Sequence, residues 1–465
     1  MFVNRVRELK ALDDWWEQPG AQLGLTWGRR RVGKSWLLRE WASGKQTVFH
    51  VARNAPMGQE LRAISNAAAS LNVWGRRDLL TRPFHDWDDL LDEFAAASES
   101  QPILLVIDEF PELLRTAPDL VSALRAIWER VSGSTCQLRL MLCGSAVRAM
   151  ETLQAHDSPL FNRMSMRLQV HAFRPHEAAL MLPHSSPPDR AAAWGVCGGM
   201  PYYLAAWDSR ASLRSNLLRL FCNDHALFLS EGQLVLGTEE LAGGRGERLP
   251  EQVLRAVAAG RTSFAAIRSA VISAPTRTLS ELEQNRLLAR RQPVTERPST
   301  KLTYYRIGDN FLAFWLSVIE PHRAAIEQGL GRTIIDKVLR QHSDFMGSRW
   351  EEALRDHARR LAADGQLGDD VVAVGEFWRQ QVGPSEDPCQ LDLVAVRGDR
   401  AVAAVGEAKW ARQRSGRSLQ RDMARKVAAA NLAVDANTAW IACAREVVTD
   451  VPGGCIAVTA ADIFS

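Results

Sequence analysis

The sequence predicts an α/β chain: a parallel sheet in its amino-terminal part, a helical middle, and a smaller α/β domain at the carboxyl end. Three observations predict it. Short apolar runs alternate with amphipathic stretches as far as about residue 182, the rhythm of a parallel sheet. A Pro/Ser segment, Pro183–Pro188, then opens a region of helical periodicity. Past residue 346 the β-rich runs return. The boundaries follow as 1–182, 189–310, a helical connector over 311–345, and 346–465.

The composition is that of a soluble globular chain, with 46% hydrophobic and 24% charged residues among 465. The longest uncharged stretch, Ala191–Trp207, is interrupted by Gly195, Gly198, Gly199 and Pro201 and falls short of a membrane span. No secretory leader pattern opens the sequence, so the expected location is cytoplasmic, with no membrane partner. The seven cysteines form no Cys-x-x-Cys pair, and neither His-Glu-x-x-His nor Gly-x-Ser-x-Gly occurs. Disulfide scaffolds, zinc modules, zincins and serine hydrolases are thereby disfavoured. Only seven of the 57 basic residues are Lys, so a Lys placed where chemistry wants a compact ammonium is informative.

Taken in order, the candidate strands of the first part are Leu23–Trp27, Val48–Ala52, Ile103–Ile107, Leu138–Cys143 and Leu168–Phe173. A helix is predicted from Leu120 to Val131 behind a Pro118-Asp119 cap. The first strand runs into Gly28, Arg29, Arg30, Arg31, Val32, Gly33, Lys34, Ser35 and Trp36, a Gly-x4-Gly-Lys-Ser segment between a strand and a helix former. Such a loop turns backbone N–H groups onto phosphate oxygens, and the helix N-terminus adds positive potential. Lys34 is expected to reach the β/γ-phosphates of ATP and Ser35 to ligate Mg²⁺.

The third strand ends in Asp108-Glu109. Two carboxylates closing a buried apolar run are costly unless they act there; Asp108 is expected to bind Mg²⁺ through water and Glu109 to polarise the attacking water. The fourth strand ends in Gly144-Ser145, which suits a γ-phosphate sensor equally with a turn serine.

These residues resemble the AAA+-related archaeal-type P-loop ATPase family. The likeness takes in Phe2-Val3-Asn4-Arg5, Glu8-Leu9, Asp108-Glu109-Phe110, Gly144-Ser145 and Pro159–Arg163, and continues into the lid box Gly198-Gly199-Met200-Pro201-Tyr202-Tyr203-Leu204. It implies a charge-stabilising arginine, for which Arg163 is the candidate and Arg167 the competitor. It also implies a helical lid followed by a winged helix over 189–310, and leaves room for a homo-oligomer.

In that middle region a Gly-rich stretch runs from Gly237 to Gly246, and Arg245–Lys301 carries eleven basic and five acidic residues. Helices are predicted over Phe264–Val271 and Leu279–Leu288, then a wing through Lys301–Arg306. Arg277, Arg286, Arg290, Arg291 and Arg297 are candidates to meet nucleic-acid phosphates, DNA ahead of RNA. A solvated or protein-packed basic face is an equal alternative.

At the carboxyl end the expected strands are Val371–Val374, Leu391–Val396, Ala401–Val405 and Ala439–Ala442. Asp392 lies in the second, and Glu407 and Lys409 share one face of the third. Two carboxylates converging with a Lys can hold Mg²⁺ at a scissile phosphate, and the helix at Gly347–Leu354 offers Glu351, ahead of Glu352, as a further ligand. The pattern resembles the PD-(D/E)xK nuclease superfamily, although no Pro precedes Asp392 and Gln390 replaces an acidic residue. The resemblance implies catalytic roles for Asp392, Glu407 and Lys409. The functional expectation is an ATP-hydrolysing switch coupled to a Mg²⁺-dependent nuclease-like domain that acts on nucleic acid. The alternative is a nucleotide-regulated DNA- or protein-binding module with an inactive nuclease-like domain.

Overall fold

The computed structural model describes residues 2–238, 249–297, 300–379 and 389–465. The chain divides into two compact units, one ending at Ala172 and one from Phe173 to Ser465. Most of the Gly-rich stretch lies outside the described residues. Among the described residues no helix is long and apolar enough to cross a membrane.

The first unit is a parallel sheet of β1 (Gln22–Trp27), β2 (Thr47–Val51), β3 (Ile103–Asp108), β4 (Leu138–Gly144) and β5 (Met166–Gln169), in the order β2-β3-β4-β1-β5. β3 and β4 are buried along their whole length, as predominantly apolar strands in a sheet covered on both faces must be. The register sets Trp27 beside Gly144, Ile107 beside Leu142 and Val51 beside Asp108. The carboxyl ends of β1, β3 and β4 therefore share one edge, where α/β sheets bind ligands. β5 stops short of the predicted Phe173: the Val170 N–H still bonds Trp27, but the Phe173 N–H bonds the Gly199 carbonyl in the second unit's own fold. The Leu120–Val131 helix forms as predicted, yet Asp119 makes no side-chain cap, its backbone being already helical.

In the second unit, helices Pro187–Cys197 and Pro201–Ala206 are separated by Gly198-Gly199. Gly199 has φ 73°, and a Cβ there would lie 2.0 Å from the Phe173 carbonyl oxygen, so only glycine fits. Helices Leu249–Ala258, Phe264–Ala270 and Thr276–Gln284 precede an antiparallel hairpin of β6 (Leu288–Arg291) and β7 (Tyr304–Ile307). The third of these helices starts earlier than the sequence suggests, directly after Pro275, and ends before Arg286 turns left-handed at φ 57°. A short helix, Asn310–Phe314, continues into a π-turn at Trp315–Ile319. A 33-residue helix, Gly331–Ala363, follows. It passes unbroken through residue 345, where composition suggested a boundary. Its buried residues Ile335, Val338, His342, Met346, Trp350 and Ala353 recur at helical spacing across that point, giving the chain no reason to stop.

The carboxyl-terminal sheet comprises β8 (Val371–Arg379), β9 (Cys389–Arg397), β10 (Val402–Lys409), β12 (Ala439–Ala444) and β14 (Cys455–Val458), ordered β14-β12-β10-β9-β8. β8, β9 and β10 are antiparallel neighbours; β10, β12 and β14 are parallel, and helix Gly416–Ala430 lies between β10 and β12 in the chain. The small strands β11 (Gln413–Ser415) and β13 (Val447–Thr449) pair beside it.

Candidate functional site

The loop after β1 is shaped by backbone constraints. Gly28 has φ 157°, and a Cβ on it would meet the Val170 carbonyl oxygen at 2.3 Å. Gly33, at φ 91°, caps helix Lys34–Ala42 without a side chain. Lys34 opens that helix and is buried; its ammonium donates to the carbonyls of Gly28 at 2.8 Å and Arg29 at 3.1 Å. Arg29 and Val32 are buried, Ser35 is half-buried, and Arg30 and Trp36 are exposed. Arg5, itself in a left-handed conformation, bonds Glu8 and donates to the Val32 carbonyl at 2.8 Å, bracing the loop from the amino-terminal box.

Asp108 ends β3 and is buried. Glu109, left-handed at φ 52°, accepts from the Ser145 hydroxyl at 2.7 Å, so residues after β3 and β4 are joined at the sheet edge. Burial, and then the Asp108 carboxylate, push the buried Cys143 thiol well above its ordinary range, while Lys34 pulls it down. Asp108 and Lys34 thus both act on the end of β4. Arg163 stands apart from this group, pairing with Glu129 at 2.7 Å, and Arg167 is exposed on β5. The loop is a backbone cradle that a Cβ would fill, and it holds one buried ammonium. Such a donor set fits a nucleoside triphosphate.

In the second unit β9 and β10 pair so that Gly406 faces Leu393, which brings Asp392 against Glu407 and Lys409. Asp392 and Glu407 are buried. The Asp392 carboxylate accepts from the Ala408 N–H at 2.9 Å and from Lys409 at 3.3 Å. Glu407 accepts from Lys409 at 2.8 Å and from Lys426 at 2.5 Å. Lys426 carried no motif; its only signal in the sequence was the scarcity of lysine. Burial, then the charge of Asp392, raises the Glu407 carboxyl against the two lysines, and the same two causes push Glu351 up to about 7. Burial opposes the charge on Lys409, but Asp392 and Glu407 raise its pKa. Three crowded carboxyls have the donor chemistry of a divalent-cation site. Among the described residues, however, no group of three or more His, Cys, Asp or Glu is gathered closely enough to hold a metal ion.

Glu352, one residue on, faces elsewhere. It accepts from Arg291 at 2.8 Å and Arg355 at 3.3 Å, and also pairs with Arg306 and Arg359. Burial alone would raise its pKa, but the four guanidinium groups hold it well below the carboxylate range. Arg355 also donates to the Asp392 carbonyl at 2.7 Å, and Tyr304 donates to Glu376 at 2.6 Å. Arg291, a candidate phosphate contact, is thus turned inward. Arg277 pairs with Glu281, and Arg290 donates to the Thr300 carbonyl; Arg286, Arg290 and Arg297 are exposed.

Residues 2–206 match a family model described as an ATPase domain predominantly from Archaea. Residues 315–427 match a family of archaeal and bacterial proteins of unknown function. An uncharacterized protein of Methanocaldococcus jannaschii is 24% identical over 439 residues, 92% of each chain. An uncharacterized ATP-binding protein of the same organism is 44% identical over 46 residues, which are 10% of this chain and 78% of that one. Among solved structures, the Walker-type ATPase of Pyrococcus abyssi superposes with a TM-score of 0.53 at 18% identity, over 68% of this chain and 96% of that one. This last likeness is one of fold.

Proposed function

We propose that this chain, an ATPase whose residues 2–206 match the archaeal ATPase-domain family, is a switch in which ATP hydrolysis governs a nuclease-like domain acting on nucleic acid. The observation that carries the first half is the shared sheet edge, where the 28–35 loop, Asp108 and the Glu109–Ser145 pair meet. There Lys34 would neutralise the β/γ-phosphates, and Ser35 and Asp108 would hold Mg²⁺. Glu109 would orient the attacking water, and Ser145 would keep Glu109 aimed until the γ-phosphate competes for its hydroxyl. Arg163 would stabilise transition-state charge only after leaving Glu129.

The second half rests on Asp392, Glu407 and Lys409 converging on neighbouring strands. β9 and β10 are neighbours in the sheet, as that reading of Asp392, Glu407 and Lys409 needs. Asp392 and Glu407, with Glu351, would hold a divalent cation, which when bound would supply Lewis-acid activation of a phosphodiester. Lys409 would hold charge at the scissile phosphate. The hairpin β6–β7 with its preceding helices would serve as the winged helix, offering exposed Arg286, Arg290 and Arg297 to DNA.

A specific observation favours the alternative of a nucleotide-regulated DNA- or protein-binding module. Lys409 and Lys426 already occupy both oxygens of Glu407, so a metal must displace an ammonium. Cutting of plasmid and single-stranded DNA, with Mg²⁺ or Mn²⁺ and with or without ATP, decides between them. The nuclease reading expects cleavage by the intact chain that is lost in Asp392→Ala and Lys409→Ala. Absence of cleavage under every condition, with ATP hydrolysis intact, selects the binding module.

A further inference from the structure

The second unit contains a cavity of about 400 Å³. Its apolar walls are Val257 and Ala258 from helix Leu249–Ala258, Ile307 from β7, Val318 from the π-turn and Phe345 from the long helix. Thr262, Ser317, Gln341 and Ser348 add hydroxyl and amide groups, and Asp344 is exposed on the rim. Two guanidinium groups, Arg306 and Arg349, complete the lining.

Arg349 is the unusual member. It is 7% exposed, yet among the described residues its Nη1 donates to neutral acceptors, the Asn310 side-chain oxygen at 3.0 Å and the Ile307 carbonyl at 3.4 Å. Among the described residues its Nε has no hydrogen-bond partner, and neither has the Nε of Arg306. The nearby Glu352 is already shared among Arg291, Arg306, Arg355 and Arg359. Phe345 lies against the Arg349 guanidinium, its ring centroid 5.0 Å away. A buried cation is costly unless an anion pairs with it, and here the vacant space adjoins the cation. The π-turn on the same wall is a second sign, since such turns concentrate at functional sites.

We propose that this cavity binds a small organic phosphate monoester, its phosphate on Arg349 and Arg306 and its carbon skeleton against Val257, Val318 and Phe345. Phosphate suits the site better than carboxylate, because guanidinium and hydroxyl donors approach from several sides and phosphate offers more acceptor oxygens. The volume falls within the range of small-molecule sites, roughly 300–1,000 Å³. The inference is independent of the reaction at Asp392.

The test uses the full chain carrying Lys34→Ala, which silences the triphosphate loop. Calorimetry and thermal shift are measured with AMP, ribose 5-phosphate and inorganic phosphate. Saturable one-site binding of AMP or ribose 5-phosphate is expected, AMP the tighter if a base occupies the apolar wall and the two equal if it does not. Arg349→Gln should weaken binding at least tenfold. Ser348→Asp, a change at an exposed position, places a carboxylate beside the two arginines; it should abolish the response and raise Tm in phosphate-free buffer. Binding of inorganic phosphate alone, no binding of either ester at millimolar concentration, or binding unchanged in both variants overturns the proposal.

Discussion

Lys34 and Glu109 are positioned by different devices, and their substitutions should fail differently. Lys34 is a buried ammonium that donates to the Gly28 and Arg29 carbonyls, so Lys34→Ala should remove ATP hydrolysis to background in a phosphate-release assay. Glu109→Gln retains size and the Ser145 contact but not the charge that orients water. Hydrolysis should fall about 10²–10⁴-fold with nucleotide affinity preserved, as single-turnover kinetics and binding calorimetry would report. Hydrolysis at wild-type rate in Glu109→Gln would move the water-orienting role elsewhere. At this scale the sequence was informative where a residue type was scarce or tied to a spacing. Lys34, Asp108, Asp392, Glu407 and Lys409 were legible for that reason. Lys426 was not, because it reaches Glu407 from a helix seventeen residues beyond Lys409, with no periodic link to it. Arg291 misled because a basic residue on a hairpin has the same local pattern whether it faces solvent or a buried glutamate.

Among the elements, the long helix Gly331–Ala363 carries the most concentrated electrostatics. Removing the Glu352 charge leaves four guanidinium groups around a neutral amide. Breaking a partly buried network of this kind costs on the order of 3–5 kcal/mol, so Glu352→Gln should lower the urea midpoint of the second unit markedly; an unchanged midpoint would show the arginines to be solvated. The same helix buries His342. Burial, with the Arg445 charge in the same sense, holds its pKa at about 4 despite an opposing hydrogen bond with the Ala192 backbone. His357, half-buried farther along, is likewise held at about 4, by burial and Arg360. The unfolded chain takes up these protons near 6.5 and the folded chain only near 4. Stability should therefore decline as pH falls from about 6.5 toward 4, His342 contributing on the order of 3 kcal/mol at the lower end. His342→Leu should flatten that slope in pH-resolved denaturation, and an identical slope would assign it to other groups. Most strands of both sheets were legible as apolar runs, but β5 lies earlier than its run and β14 was not anticipated. Helix limits were less so, since a proline or a left-handed residue such as Arg286 acts through the backbone rather than through the hydrophobic pattern.

Across the whole chain, punctuation located the main change of character but not its exact residue. The Pro/Ser segment suggested a division at 182–189, and the compact units divide between Ala172 and Phe173, the Phe173 N–H bonding the Gly199 carbonyl. The more consequential difference is the helix that crosses residue 345. An unbroken helix of 33 residues spans about 50 Å at 1.5 Å per residue. It holds the β6–β7 hairpin through Glu352 and presents Glu351 toward Asp392 from the adjacent position. Torque applied at the hairpin would thus be delivered to the carboxyl-terminal strands with almost no slack. Any pivot in this half of the protein must fall before Gly331 or after Ala363, and inserting two glycines near Gly347 should uncouple the ends like a cut axle.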